Sequence, residues 1–134
     1  MALEIQARER EGIAILDLNG RLAVGGASLL REKVNEEMAK GHNRVILDMK
    51  EVDYIDSTGL GTMVICYTSL QKAGGGLKLS RLNRRNVELL LLTKLSTVFE
   101  IFGEEQEAVN SFFPEREIKR FDILSFVKQQ TEEA

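Results

Sequence analysis

The sequence predicts an α/β domain: a small mixed β-sheet packed with about four α-helices, ordered ββαβαβαβα and followed by one further helix. Three observations carry that prediction. The N-terminal segments alternate apolar and polar residues, as half-buried strands do. Three later segments place apolar residues at helical spacing. Short apolar runs, set off by glycines, lie between them, and strands alternating with helices imply a sheet with helices packed on it.

Leu3, Ile5 and Ala7 alternate with Glu4, Gln6 and Arg8, giving a first strand. Gly12 separates it from a second strand over Ile13–Leu18, so the two are expected to form a hairpin. Gly20 and the Gly25-Gly26 pair read as a loop. Leu30, Val34 and Met38 then mark a helix opposite Glu32, Asn35, Glu36 and Lys40, with Gly41 as its terminator. Val45-Ile46-Leu47 is a continuous apolar run, the pattern of a strand covered on both faces. Leu60, Val64, Tyr67 and Leu70 mark a second helix, stopped by Gly74-Gly75-Gly76. A strand over Leu77–Leu82 follows, then a third helix with Val87, Leu90, Leu91 and Leu95 inward. Val98–Ile101 reads as a short last strand, and Ala108, Val109, Phe112 and Phe113 as a fourth helix. Pro114, the one proline, breaks the chain. Residues 1–113 therefore read as one domain and 114–134 as a C-terminal amphipathic extension. Ile118, Phe121, Phe126 and Val127 predict a helix there through about Gln129, whose apolar face covers the domain or meets a partner. Docking on the domain is the simpler of the two.

At 134 residues the chain is long enough for a genuine core, and 43% hydrophobic with 29% charged residues is a globular balance. No apolar run approaches the roughly 20 residues of a membrane span. Met1-Ala2-Leu3-Glu4-Ile5 lacks a signal-peptide layout, so a cytoplasmic location is expected. The net charge of −3 argues against nucleic acid, and Arg81, Arg84 and Arg85 read as a solvated helix start. Cys66 has no partner for an internal disulfide, and its apolar surroundings make it a buried small hydrophobe rather than a nucleophile. His42 reads as a solvated cation at a helix end. One His and one Cys do not make a zinc set, and no cofactor is expected.

The most informative run is Tyr54-Ile55-Asp56-Ser57-Thr58-Gly59-Leu60-Gly61, where an apolar strand gives way to a helix. Ser57 reads as the helix N-cap. A helix start also favours negative charge, so Ser57 is equally competent to carry a phosphoryl group. Catalytic readings fit poorly. Position 55 is isoleucine rather than the glycine of a nucleophile elbow, and His42 is the single candidate imidazole base. No phosphate-loop pattern surrounds Gly59 and Gly61, which instead suit close helix packing and a bare surface. Asp48, Asp53 and Asp56 surround a strand end and raise the option of a Mg²⁺-dependent aspartyl-phosphate receiver. No lysine or threonine stands convincingly at a later strand end, and surface solvation with turn formation explains Asp48 and Asp53 more simply.

Val45-Ile46-Leu47-Asp48-Met49, a short acidic turn, and then Tyr54–Gly61 resemble the signature of STAS domains, specifically bacterial anti-sigma factor antagonists. The likeness continues through Gly74–Leu79 and Phe99–Phe112, about residues 3–113 in all. The resemblance implies that Ser57 is phosphorylated by an anti-sigma factor that is itself an ATP-using serine kinase. It implies that the unphosphorylated protein binds that factor and frees a sigma factor to engage RNA polymerase. Phosphorylation breaks the complex and a serine phosphatase restores it. The protein is then a substrate and binding partner, not an enzyme. Asp56, Ser57, Thr58, Gly59, Leu60 and Gly61 would meet the partner, with Arg21 and Ala23 from the preceding loop; Thr58 stands where many members have a second serine and is a secondary phosphoacceptor. The loop Gly20–Gly26 is more apolar than the usual acidic version, with Ala23 near a commonly acidic position. No direct nucleic-acid contact and no membrane insertion are expected, and homodimerisation is left open. The alternative is a constitutive STAS scaffold or subunit, stressosome-like or associated with a lipid transporter, that lacks the switch.

Overall fold

The computed structural model describes residues 2–118 and 121–133. Strands β1 (Glu4–Arg10) and β2 (Ile13–Leu22) form the expected antiparallel hairpin. Glu11 and Gly12 both take positive φ, 53° and 82°, the primed two-residue turn whose twist matches that of its strands. The chain continues through α1 (Val24–Ala39), β3 (Arg44–Ile55), α2 (Ser57–Lys72), β4 (Gly76–Ser80) and α3 (Arg84–Leu92). A 3-10 turn (Leu95–Thr97), β5 (Ile101–Phe102), α4 (Glu105–Asn110) and α5 (Ile123–Glu133) complete it. The predicted element order is observed.

The sheet runs β1-β2-β3-β4-β5, antiparallel at β1/β2 and parallel elsewhere. Because β2 to β5 are neighbours in chain order, crossovers of one hand stack their helices on one face. Leu30 and Val34 of α1, Met63 and Leu70 of α2, and Val87 and Leu90 of α3 pack there against Leu16, Val45, Leu47 and Leu79. The opposite face carries Ile13, Ile15 and Ile46 under Ala108 and Val109 of α4. Val45-Ile46-Leu47 is thus buried from both sides, as its continuous apolar pattern requires. The six-residue α4 is too short to persist alone and is held by this packing.

Several boundaries differ from the sequence reading: β4 is Gly76–Ser80 rather than Leu77–Leu82, α3 ends at Leu92 before Leu95, and α4 ends at Asn110 before Phe112 and Phe113. β2 runs to Leu22 rather than Leu18, so Gly20 lies in the strand, and Gly25-Gly26 lie in the first turn of α1 rather than in a loop. Register shifts after Asp17 and after Gly20 absorb the glycine, which takes φ 117° where a Cβ would stand 2.5 Å from the Ala2 carbonyl oxygen. The acidic turn expected after Met49 is strand, because β3 pairs with the extended β2 as far as Leu22↔Ile55. The last strand is Ile101–Phe102, since Leu95–Val98 winds into the 3-10 turn and its C-cap.

The C-terminal helix begins at Ile123 and docks on the domain. Phe121, Ile123, Phe126 and Val127 pack against the main core, and the Phe121 and Phe126 rings lie 5.3 Å apart.

Asp48, expected at the surface, is 3% exposed beneath an ionic network. Arg81 binds its carboxylate, with Nε 3.1 Å from Oδ2. Arg8 donates to Asp17 at 2.6 and 3.0 Å and to Glu105, which Arg10 also contacts at 2.7 Å. Arg81 therefore anchors the sheet rather than a solvated patch. His42 is likewise not a free helix-end cation: its Nδ1 lies 2.8 Å from Oε1 of the buried Glu37. Burial works against ionisation of Glu37, yet hydrogen bonds from His42 and Lys40 outweigh it and hold the carboxyl below its ordinary value of 4.5. Glu105 is held low by Arg8, against burial, with Arg10 adding to the effect. Since both folded-state values are depressed, their stabilisation is complete above pH 4.5 and is lost as pH falls through the folded values. Melting followed by circular dichroism is expected to show Tm falling below about pH 4.5. In Glu105→Gln, Tm should be lower at pH 7 and the acid-induced drop smaller.

Candidate functional site

The site forms where β2 and β3 end side by side. Arg21 pairs with Tyr54 and Leu22 with Ile55 in the parallel ladder. The Asp56 N–H then donates to the Leu22 carbonyl at 3.2 Å, which ties the start of α2 to the end of β2. The Arg21–Ala23 segment and the Asp56-Ser57 pair, more than 30 residues apart in sequence, are brought to this one corner.

The helix cap is Asp56, not Ser57. Asp56 has extended backbone, φ −101° and ψ −176°, and its Oδ1 accepts from the Gly59 N–H at 2.8 Å. A carboxylate here complements the helix dipole as well as satisfying an otherwise unpaired amide. Ser57 is therefore the first helical residue. It is exposed, and its hydroxyl has no hydrogen-bond partner among the described residues. The displaced cap leaves the nucleophilic oxygen unencumbered.

Each neighbour in the motif has a distinct place. Thr58 and Gly61 are exposed, and a Cβ at Gly61 would meet nothing within 4 Å. Gly59 is buried, and a Cβ there would sit 2.1 Å from the Leu22 carbonyl oxygen. Leu60 is half-buried and packs on the core. The motif thus divides into an inward pair, Gly59 and Leu60, and an outward set, Ser57, Thr58 and Gly61. Ala23 precedes α1 and offers no side-chain cap. Arg21 lays its guanidinium over the Tyr54 ring, 4.8 Å from the centroid.

Exposed apolar residues lie on the elements that meet at this corner, two of which, Val24 and Ile65, the sequence reading did not single out. Val24 is 69% exposed, Ile65 43% and Tyr54 38%. Ile65 continues the outward stripe Thr58, Gly61, Ile65, Thr68 on α2, opposite the buried Met63, Cys66 and Leu70. Its signal in the sequence is a β-branched apolar residue at i+4 from Gly61, off the core face.

Among the described residues, neither the one histidine nor the one cysteine is placed to activate Ser57. His42 stands before the first residue of β3 and Ser57 after the last, roughly 35 Å apart along a 12-residue strand. Cys66 is buried, and burial pushes its thiol up to about 11, which keeps it protonated and inert. Asp48, Asp53 and Asp56 do not converge: Asp48 is under Arg81, Asp53 is exposed and Asp56 caps α2. Among the described residues, Asp17, Asp48 and Glu105 do bring carboxylate oxygens within 4.8 Å of one another, but Arg8, Arg10 and Arg81 already neutralise them.

The site is an exposed serine at the start of the second helix of an α/β domain built on a five-stranded sheet. The chain belongs to the STAS domain family, which it matches over residues 4–108. It is 31% identical to the anti-sigma-B factor antagonist of Bacillus subtilis over 109 residues, 81% of this chain and 99% of that protein. It is 32% identical to the anti-sigma-B factor antagonist of Listeria monocytogenes, over 80% of this chain and 93% of that one. The crystal structure of Thermotoga maritima TM1081 superposes with a TM-score of 0.76 at 28% identity, covering 81% of this chain and 93% of that one. The Bacillus protein SpoIIAA, solved in its phosphorylated form, shares the fold at 17% identity and a TM-score of 0.63, over 82% of this chain and 98% of that one. Among the described residues no helix is long and apolar enough to cross a membrane.

Proposed function

We propose that the chain is a phosphorylation-switched, non-catalytic anti-sigma factor antagonist, with Ser57 as the switch. The observation that carries this reading is the Asp56 cap, which leaves the Ser57 hydroxyl exposed and unbonded at a helix start. The antagonist names of relatives above 30% identity support the partner class. Unphosphorylated, the protein binds an anti-sigma factor in the cytoplasm through the outward set around Ser57, and a sigma factor is released. The same partner, acting as a serine kinase, transfers the γ-phosphoryl group of ATP to Ser57 Oγ. The Oγ–P bond forms as ADP leaves and the hydroxyl proton passes to a kinase base. A serine phosphatase hydrolyses the ester and resets the switch.

A phosphate at this position suits the fold, because negative charge near a helix N-terminus is stabilising by about 0.3–1 kcal/mol. Incubation with the cognate kinase and ATP is expected to add one phosphoryl group, mapped by mass spectrometry to Ser57. Ser57→Ala should abolish it. Incorporation at Thr58 instead, or none in the presence of a bound kinase, would overturn the assignment.

A further inference from the structure

We propose that Arg21 is a built-in receptor for the phosphoryl group on Ser57, an intramolecular latch that turns from the Tyr54 ring to the phosphate when the switch is set. The proposal rests on the phosphorylation reading above and adds what the modified serine binds.

Arg21 is exposed, and among the described residues its side chain has no carboxylate partner; its one recorded contact is the Tyr54 ring. Nearby carboxylates do not compete for it, since Asp56 is held by the Gly59 amide and Asp53 makes no ion pair with it. The backbone brings the two residues to one corner of the domain. Arg21 immediately precedes Leu22, Ser57 immediately follows Asp56, and Leu22 and Asp56 are joined by the 3.2 Å hydrogen bond. The surroundings leave room for the movement. Ala23 carries no polar side chain, Gly25 is open, and no acidic residue occupies the first turn of α1 or of α2.

The chemistry favours the exchange. A guanidinium over an exposed aromatic ring is held only weakly. A phosphoserine offers −1.5 to −2 charge and three acceptor oxygens, about twice the strength per hydrogen bond of a neutral pair and matched to the planar donor fork of arginine. The stack keeps the cation at the corner until a better partner is created beside it.

The test uses the full chain with phosphoserine installed at position 57 during translation, so no kinase is needed. ³¹P NMR titration reads the second ionisation of the phosphate, near 6 when unperturbed. With Arg21 paired it is expected about half a unit or more below that of Arg21→Gln, with Arg21→Lys between them. Lys72→Gln removes an equal charge at the far end of α2, about 20 Å away, and should titrate like the wild type. The Tyr54 ring resonances should also move on phosphorylation in the wild type and not in Arg21→Gln. Coincident titrations of wild type and Arg21→Gln overturn the latch, as does an equal shift in Lys72→Gln. A kinase that ignores Ser57 would instead defeat the switch reading while leaving this measurement intact.

Discussion

Gly59→Ala is expected to lower Tm by roughly 10 °C, whereas Gly61→Ala two positions on is expected to leave Tm unchanged or raise it slightly. Both substitutions add one methyl group to the same helix, and intrinsic propensity favours alanine over glycine by about 1 kcal/mol at either position. The surroundings decide the outcome. The new Cβ at position 59 would lie 2.1 Å from the Leu22 carbonyl oxygen and 2.9 Å from its carbonyl carbon. Those are backbone atoms of a buried strand end, and no rotamer change can relieve the clash. The start of α2 must lift from β2, weakening the Asp56–Leu22 hydrogen bond and shifting Met63 and Cys66 in the core. A cost of about 2–4 kcal/mol follows, in the range of overpacked cores. At Gly61 the same methyl enters open solvent. If the two variants melt together, the close approach of α2 to Leu22 is wrong. Gly61→Ala should nonetheless weaken anti-sigma factor binding, because the methyl sits between Ser57 and Ile65 on the outward stripe.

Phosphorylation of Ser57 is expected to reduce affinity for the anti-sigma factor about 100-fold without altering the fold. That factor corresponds to about 2.8 kcal/mol, within reach of a newly introduced like-charge contact at a binding surface. The phosphate brings bulk and −1.5 to −2 charge to a surface that also exposes Val24, Tyr54 and Ile65, residues suited to a dry contact. Because Ser57 is exposed and the Asp56 cap is already made, nothing in the core has to move. Calorimetric titration of the two forms against the anti-sigma factor reads the affinity, and far-UV spectra with melting curves read the fold. Global unfolding on phosphorylation would sink the surface mechanism. Unchanged affinity would favour the constitutive scaffold instead.

Much of the fold was legible because its signals are local. The hairpin, the three crossover helices and the doubly covered Val45-Ile46-Leu47 strand follow from periodicity and glycine placement, which depend on neighbours a few residues apart. Boundaries fared worse where two distant segments stabilise one another. Nothing local makes Lys50–Asp53 a strand; pairing with the bulged second half of β2 does. Asp48 and Arg81 are 33 residues apart and unremarkable separately, and only β3/β4 pairing sets the exposed guanidinium over the buried carboxylate. Of the site, Ser57 and its motif could be found in sequence, whereas Val24 and Ile65 could not, since their exposure depends on what the sheet and the neighbouring helices leave uncovered.

The Asp56-Ser57 pair separates the two contributions. By itself the sequence determined that a helix starts here and that a hydroxyl and a carboxylate stand at its entrance. Which of them caps was decided in three dimensions. The β2/β3 ladder keeps Asp56 extended and bonded to Leu22, so its carboxylate reaches the Gly59 amide and Ser57 becomes the first helical residue. Capping is a matter of backbone angles one residue at a time, and those angles are set by the neighbouring strand. The hydroxyl is exposed and unbonded because that strand holds the aspartate in place.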